Sequence, residues 1–257
     1  MHSVMADGQL ARLFERIGSS HRARSIDPWI VVDDLLSAEE ADNVLREAQQ
    51  VGFEKSRDSR YNASHRTSST AYLSRRPRAN QSATQLMEAR ASELLRIPVE
   101  HASPIQVVRY AAGEHYRTHH DQNALRDEPW GVRALTMFIY LSDPLDDDAG
   151  GETLFPELGL SVTPKKGRAV VWPNVRLDSP DESDRRTFHA GAPVRRGFKY
   201  GANMWWHPFP YRPFLDAGCS PVDHAQYAHP NRNMTRWSAA ANILVWNSTF
   251  GGYGGRG

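Results

Sequence analysis

The sequence predicts an α+β protein in which N-terminal helices buttress a double-sheet β core. Three observations lead there. Two amphipathic helical patterns precede Pro98, and short β-rich runs separated by turn residues follow it. Helices come first and strands after, without the regular alternation of a βαβ chain. No internal repeat is present, so the strands belong to one closed unit and not to an array.

The elements are justified in order. Trp29 to Val32, just after Asp27-Pro28, reads as a first strand. Ser37-Ala38-Glu39-Glu40 fits a capping box, in which serine and glutamate satisfy free amides at a helix start. That helix should run through Ala41, Val44, Leu45 and Ala48 to about Val51. Residues 56–78 are polar and arginine-rich, a loop with a short extended piece at Ala71-Tyr72-Leu73. A second helix is expected from Ser82 to Leu95, closed by Pro98. Strands are then expected at 105–110, 114–118, 135–141, 152–155, 169–172, 191–194 and 200–206, a spacing that suits a sandwich or barrel. Residues 1–26 read as an amphipathic extension with Leu10, Leu13, Phe14 and Ile17 on one face, and 27–207 as the folded domain. Residues 208–257 read as a weakly ordered C-terminal extension with a Gly-rich tail.

Composition excludes several classes. A formal net charge of +1 and no basic stripe argue against nucleic acid as a partner. No apolar run reaches the roughly 20 residues needed to span a bilayer. With no signal sequence the expected compartment is cytoplasmic, or the endoplasmic reticulum if a leader is missing. Cys219 is the only cysteine, so neither an intrachain disulfide nor a thiolate zinc cluster can form. Only four lysines are present (Lys55, Lys165, Lys166 and Lys199), which draws notice to any that stands in unusual surroundings.

One cluster carries chemistry. In a strand, residues two apart face the same way, so His119 and Asp121 can present an imidazole and a carboxylate together. His189 is the candidate third ligand. A two-histidine, one-carboxylate triad suits non-haem Fe(II) and leaves coordination positions open. His115 and His119 could instead form a zinc pair on a helix, but the intervening residues lack helical amphipathicity. His120 should face the other way, as a structural or surface residue. Lys199 stands ten positions after His189, between Phe198 and Tyr200. A buried cation needs an anion, and the distal carboxylate of a 2-oxoglutarate cosubstrate would supply one.

At this point the pattern resembles the 2-oxoglutarate-dependent prolyl 4-hydroxylases. The matching segments are Arg66-Thr67-Ser68-Ser69, Arg109 to Asp121, Arg133 to Leu141, Gly150-Gly151-Glu152-Thr153-Leu154-Phe155-Pro156, Val162 to Ala169, and His189 to Lys199. They span about Pro28 to His207 in the family's order. The resemblance implies a double-stranded β-helix, or jelly roll. It implies Fe(2+) held by His119, Asp121 and His189, with Lys199 completing the catalytic set by holding 2-oxoglutarate. Tyr110, Tyr140 and Thr136 are implied to line the cosubstrate pocket, and Tyr116, Arg133 and Trp205 to contact or shape the path of the peptide. The implied reaction is hydroxylation of proline in a peptide or protein by O2, coupled to conversion of 2-oxoglutarate to succinate and CO2, with L-ascorbate as an accessory. Ala192 stands where many relatives carry cysteine, and 172–186 is longer and more acidic than the family pattern, which suggests a specificity loop.

Other readings stay open on the residues alone. A related oxygenase of another substrate would keep the same metal site. A zinc hydrolase would need a general base and would leave Lys199 without a role. A non-catalytic module could bind proline-rich peptide on Trp205, Trp206, Phe209 and Tyr211. Asp121 argues against a halogenase, which needs that position free for halide. Oligomeric state is not legible.

Overall fold

A computed structural model of the chain describes residues 23–26, 29–56, 64–73, 82–122, 130–180 and 182–216. Its elements are β1 (Ala23–Ile26), β2 (Trp29–Val32), α1 (Ala38–Val51), β3 (Glu54–Lys55), β4 (Ser69–Tyr72), α2 (Ser82–Leu95), β5 (Gln106–Ala111), β6 (Tyr116–His119), β7 (Leu135–Tyr140), β8 (Thr153–Phe155), β9 (Leu160–Val162), β10 (Ala169–Pro173), β11 (His189–Gly191), β12 (Phe198–Trp206) and α3 (Arg212–Asp216). They form an eight-stranded sheet, ordered β1-β2-β10-β7-β12-β5-β4-β3, and a four-stranded sheet, ordered β6-β11-β8-β9. Every pairing between these strands is antiparallel.

Strand alternation divides the large sheet between two cores. Ile30, Val107, Leu135, Met137, Ile139, Val171, Met204 and Trp206 share one buried cluster with Ala41, Val44 and Ala48 of α1 and Met87, Ala91 and Leu95 of α2. The neighbouring residues point the other way: Trp29, Val31, Val108, Tyr110, Phe138, Tyr140, Val170 and Trp172 meet Tyr116, Phe155 and Val162 of the small sheet. A strand buried on both faces is apolar almost throughout, as β7 (LTMFIY) and β10 (AVVWP) are.

The helices begin where local chemistry directs. Glu40 N–H donates to Ser37 Oγ at 3.2 Å, and Ser37 N–H donates to Glu40 Oε2 at 2.7 Å, the reciprocal pair of a capping box. α2 takes its cap from α1: the amides of Ala83 and Thr84 donate to the Glu47 carboxylate at 2.8 and 3.0 Å.

Several boundaries move. The last small-sheet strand starts at His189, not Gly191, and its register shifts between those two residues. Pro193, which has no N–H, cannot extend that ladder. Its carbonyl accepts instead from Gly151 N–H at 3.1 Å. β1 lies within the expected N-terminal extension and pairs with β2, while the amphipathic stretch at Leu10 to Ile17 lies outside the described residues. Past His207 the fold continues, with Tyr211 and Phe214 burying against Trp130. The Gly-rich tail lies outside the described residues. Among the described residues no helix is long and apolar enough to cross a membrane.

Candidate active site

β6 ends on His119 and β11 begins on His189, and these two residues are direct cross-strand partners. Their ring centroids lie 4.2 Å apart. Asp121 follows two residues after β6 and places Oδ1 at 3.6 Å from His119 Nε2 and Oδ2 at 3.6 Å from His189 Nε2. One donor atom from each of the three lies within 4.8 Å of the others, and all three residues are buried. His119 Nδ1 is 2.8 Å from the Arg117 carbonyl, and His189 Nδ1 is 3.0 Å from that of Thr187. A carbonyl only accepts, so each bond puts the ring proton on Nδ1 and leaves the Nε2 lone pair for a metal. Burial opposes the charged Asp121 carboxylate, yet His189, His119 and Arg133 hold its pKa well below the usual value. Burial, with repulsion from His119, lowers His189 to about 4, so its imidazole is neutral near pH 7. Two imidazoles that present Nε2 and one carboxylate fit a divalent iron ion.

Thr136 is fully buried beside this centre, where its hydroxyl donates to Asp121 Oδ2 at 2.9 Å and accepts from Asn174 Nδ2 at 2.8 Å. It was expected to line the cosubstrate pocket. The structure sets its hydroxyl on the Asp121 carboxylate, which it orients. His120 points away, 3.0 Å from the Asp184 carbonyl and within 3.2 Å of Thr187 Oγ1, and ties the ligand strand to the acidic loop.

Lys199 enters the same cavity from β12 and is 5% exposed. Its Nζ lies 5.5 Å from the ring centre of Tyr110, 5.2 Å from Phe138 and 5.5 Å from Tyr140. Burial lowers its pKa to about 7, with Glu152 pulling the other way. Tyr140 is fully buried beside the lysine. Its hydroxyl donates at 2.7 Å to Thr153 Oγ1, and Thr153 lines the cavity. Gly151 lets the lysine stem pass, since a Cβ there would lie 3.3 Å from Lys199 Cδ.

Tyr116, Arg133 and Trp205 also line the cavity. Tyr116 stacks on His119 with ring centroids 3.5 Å apart, and the Arg133 guanidinium lies 3.8 Å over the Trp205 ring. Sequence reasoning gave no site role to three further wall residues, Arg66, Gln106 and Asn203. They are linked: Arg66 Nη2 and Asn203 Nδ2 each donate to Gln106 Oε1 at 3.1 Å. Strand parity could have found Asn203, which shares a face with Lys199 and Trp205.

Residues 105–207 match the family model of the 2OG-Fe(II) oxygenase superfamily. Prolyl 4-hydroxylase 5 of Arabidopsis thaliana is 33% identical over 225 residues, covering 74% of this chain and 73% of the relative. Prolyl 4-hydroxylase subunit alpha-1 of Bos taurus is 42% identical over 125 residues, which are 46% of this chain and only 22% of that subunit. Among solved structures, the viral collagen prolyl hydroxylase of Paramecium Bursaria Chlorella virus-1 superposes with a TM-score of 0.57 at 26% identity, covering 70% of this chain and 95% of the other. A Trichoplax adhaerens prolyl hydroxylase, solved with a hypoxia inducible factor peptide, gives a TM-score of 0.58 at 19% identity over 84% of this chain and 99% of its own, a likeness of fold. The mostly antiparallel sheets with few helices are consistent with the jelly roll of these oxygenases.

Proposed function

This chain belongs to the prolyl 4-hydroxylase family of 2OG-Fe(II) oxygenases, and on that premise we propose that it hydroxylates proline in a peptide or protein while converting 2-oxoglutarate to succinate and CO2. The family implies Fe(2+), 2-oxoglutarate and O2 as the reacting partners. One observation carries the reading: a buried His119–Asp121–His189 triad and a buried lysine share one cavity.

Each residue then has a task. His119 and His189 offer Nε2 and Asp121 offers an oxygen to iron, with Thr136 fixing the carboxylate's orientation. Lys199 takes the distal carboxylate of 2-oxoglutarate, with Tyr110 beside it, which answers the cost of burying a cation. Bound together, iron and 2-oxoglutarate supply the oxidising chemistry that no side chain provides. The rest of the cavity receives substrate. Tyr116 and Trp205 give flat apolar surfaces, and Arg133 gives hydrogen-bond donors. Trp205 Nε1 is itself buried without a hydrogen-bond partner among the described residues. Donors suit proline-rich peptide, whose backbone offers carbonyls but no N–H at proline. L-ascorbate belongs to the proposal as a reductant supplied from solution. We read α1 and α2 as the buttress of the large sheet and 27–207 as the catalytic domain.

The test is mass spectrometry of a proline-containing peptide after incubation with the protein, Fe(II), 2-oxoglutarate and ascorbate. One added oxygen on proline, absent with His119→Ala, is the expected result. Succinate release with unmodified peptide would point to another substrate.

A further inference from the structure

Arg66 stands out by its charge. It is 8% exposed and lines the cavity, bridged through its backbone to Tyr116. Nε donates to Ser68 Oγ at 3.0 Å and Nη2 to Gln106 Oε1 at 3.1 Å, with Thr70 Oγ1 at a marginal 3.5 Å. The guanidinium also lies 4.7 Å from the centre of the Tyr116 ring. All of these partners are neutral, and Nη1 has no hydrogen bond among the described residues. Taking a cation out of water costs several kcal/mol, and neutral acceptors recover only part of that.

The wall as a whole repeats the imbalance. Its cations are Arg66, Arg133 and Lys199, and its one carboxylate is Asp121. Ferrous iron and the 2-oxoglutarate dianion cancel each other in charge. With that pair neutral, Asp121 offsets one of the three wall cations and two positive charges remain; Arg133 acts on Asp121, whereas Arg66 meets neutral partners. Arg66 is also close to the chemistry, because the Tyr116 ring it covers stacks on the metal-ligand candidate His119.

We propose that the peptide substrate carries a carboxylate, an aspartate or glutamate side chain near the residue to be hydroxylated, and that Arg66 receives it. The inference rests on the hydroxylase reading and narrows its substrate class. A guanidinium with free N–H groups, held still by Ser68 and Gln106, is preorganised for a carboxylate.

The experiment compares proline peptides that differ only in glutamate or glutamine, placed in turn at each position flanking the proline. At one position the glutamate peptide should show a kcat/KM at least about tenfold higher, the lower range for a charge-assisted hydrogen bond. Arg66→Gln should bring the two peptides level, and Arg66→Lys, which keeps the charge, should retain part of the preference. Equal use of both peptides at every position by the unaltered protein would overturn the inference and leave the hydroxylase reading standing. A preference that survives Arg66→Gln would overturn the assignment to Arg66. Failure of every peptide to be hydroxylated would overturn both readings.

Discussion

Lys199 is placed where a lysine is costly, and the cost shapes its chemistry. Burial lowers its pKa to about 7, partly offset by Glu152, so above that pH the free protein holds a largely neutral amine. A carboxylate docking on it favours the ammonium and raises the pKa again. Binding 2-oxoglutarate above pH 7 should therefore take up a proton, and affinity should fall as pH rises through that region. Calorimetry at pH 8 in two buffers of different ionisation heat checks this. Uptake approaching one proton, lost in Lys199→Met, is expected, and equal heats in both buffers would remove Lys199 from the anion site. This residue was legible because lysine is rare in the chain and apolar neighbours flank it. Thr136 was reached through the family resemblance, and strand parity puts it on the same face of β7 as Phe138 and Tyr140. Its depth along the strand, which sets it against Asp121, depends on where β6 lies, a long-range fact. Arg66 sits in a segment that resembles the family, but nothing local says that its partners are neutral.

At the scale of elements, turns place the site as firmly as strands do. Gly150 and Gly151 have φ of +75° and +79°, in the left-handed region. At Gly150 a Cβ would fall 2.4 Å from the Pro193 carbonyl, so this turn packs directly on the chain leaving β11. At Gly151 a Cβ would press on Lys199 Cδ and Val194 Cγ2, both at 3.3 Å. Gly151→Ala should then displace the lysine and raise the KM for 2-oxoglutarate by roughly tenfold, a loss near 1.4 kcal/mol of binding. A steady-state comparison tests this, and an unchanged KM would show that the lysine stem is free to move. The Gly-Gly pair was visible in the sequence as a turn. Its contact with Lys199 was not, since the two lie far apart in the chain. α1 and α2 were readable because α1 carries its cap in the sequence and Pro98 ends the second pattern, whereas α3 was not. The short strands β3 and β9 were not, because two or three residues give too little periodicity. Glu47 as the cap of α2 was equally hidden, being 36 residues from Ala83.

Across the whole molecule, several histidines are buried in neutral form. Burial lowers the pKa of His101 and of His120, brings that of His189 down to about 4, and brings that of His207 down to about 3. The unfolded chain binds protons at these groups below about pH 6.5, where the fold does not, so metal-free stability should climb as pH rises from about 4 to 6.5. Thermal midpoints at pH 4.5 and 7 test the sign, and equal midpoints would mean that these rings are not desolvated as described. The fold class was readable from element order alone, whereas the sheet order was not. β2 joins β10 and β7 joins β12 across long stretches of chain. In the small sheet the pairing of β6 with β11 brings His119 and His189 side by side, and it makes a cluster of chemistry from residues the sequence keeps apart. The most direct measurement is the visible charge-transfer absorption that a 2-oxo acid gives on chelating Fe(II), recorded without oxygen. The unaltered protein should show it, His119→Ala should not, and Lys199→Ala should need more 2-oxoglutarate to reach it. Full absorption in His119→Ala at the same iron and 2-oxoglutarate concentrations would contradict the account at its centre.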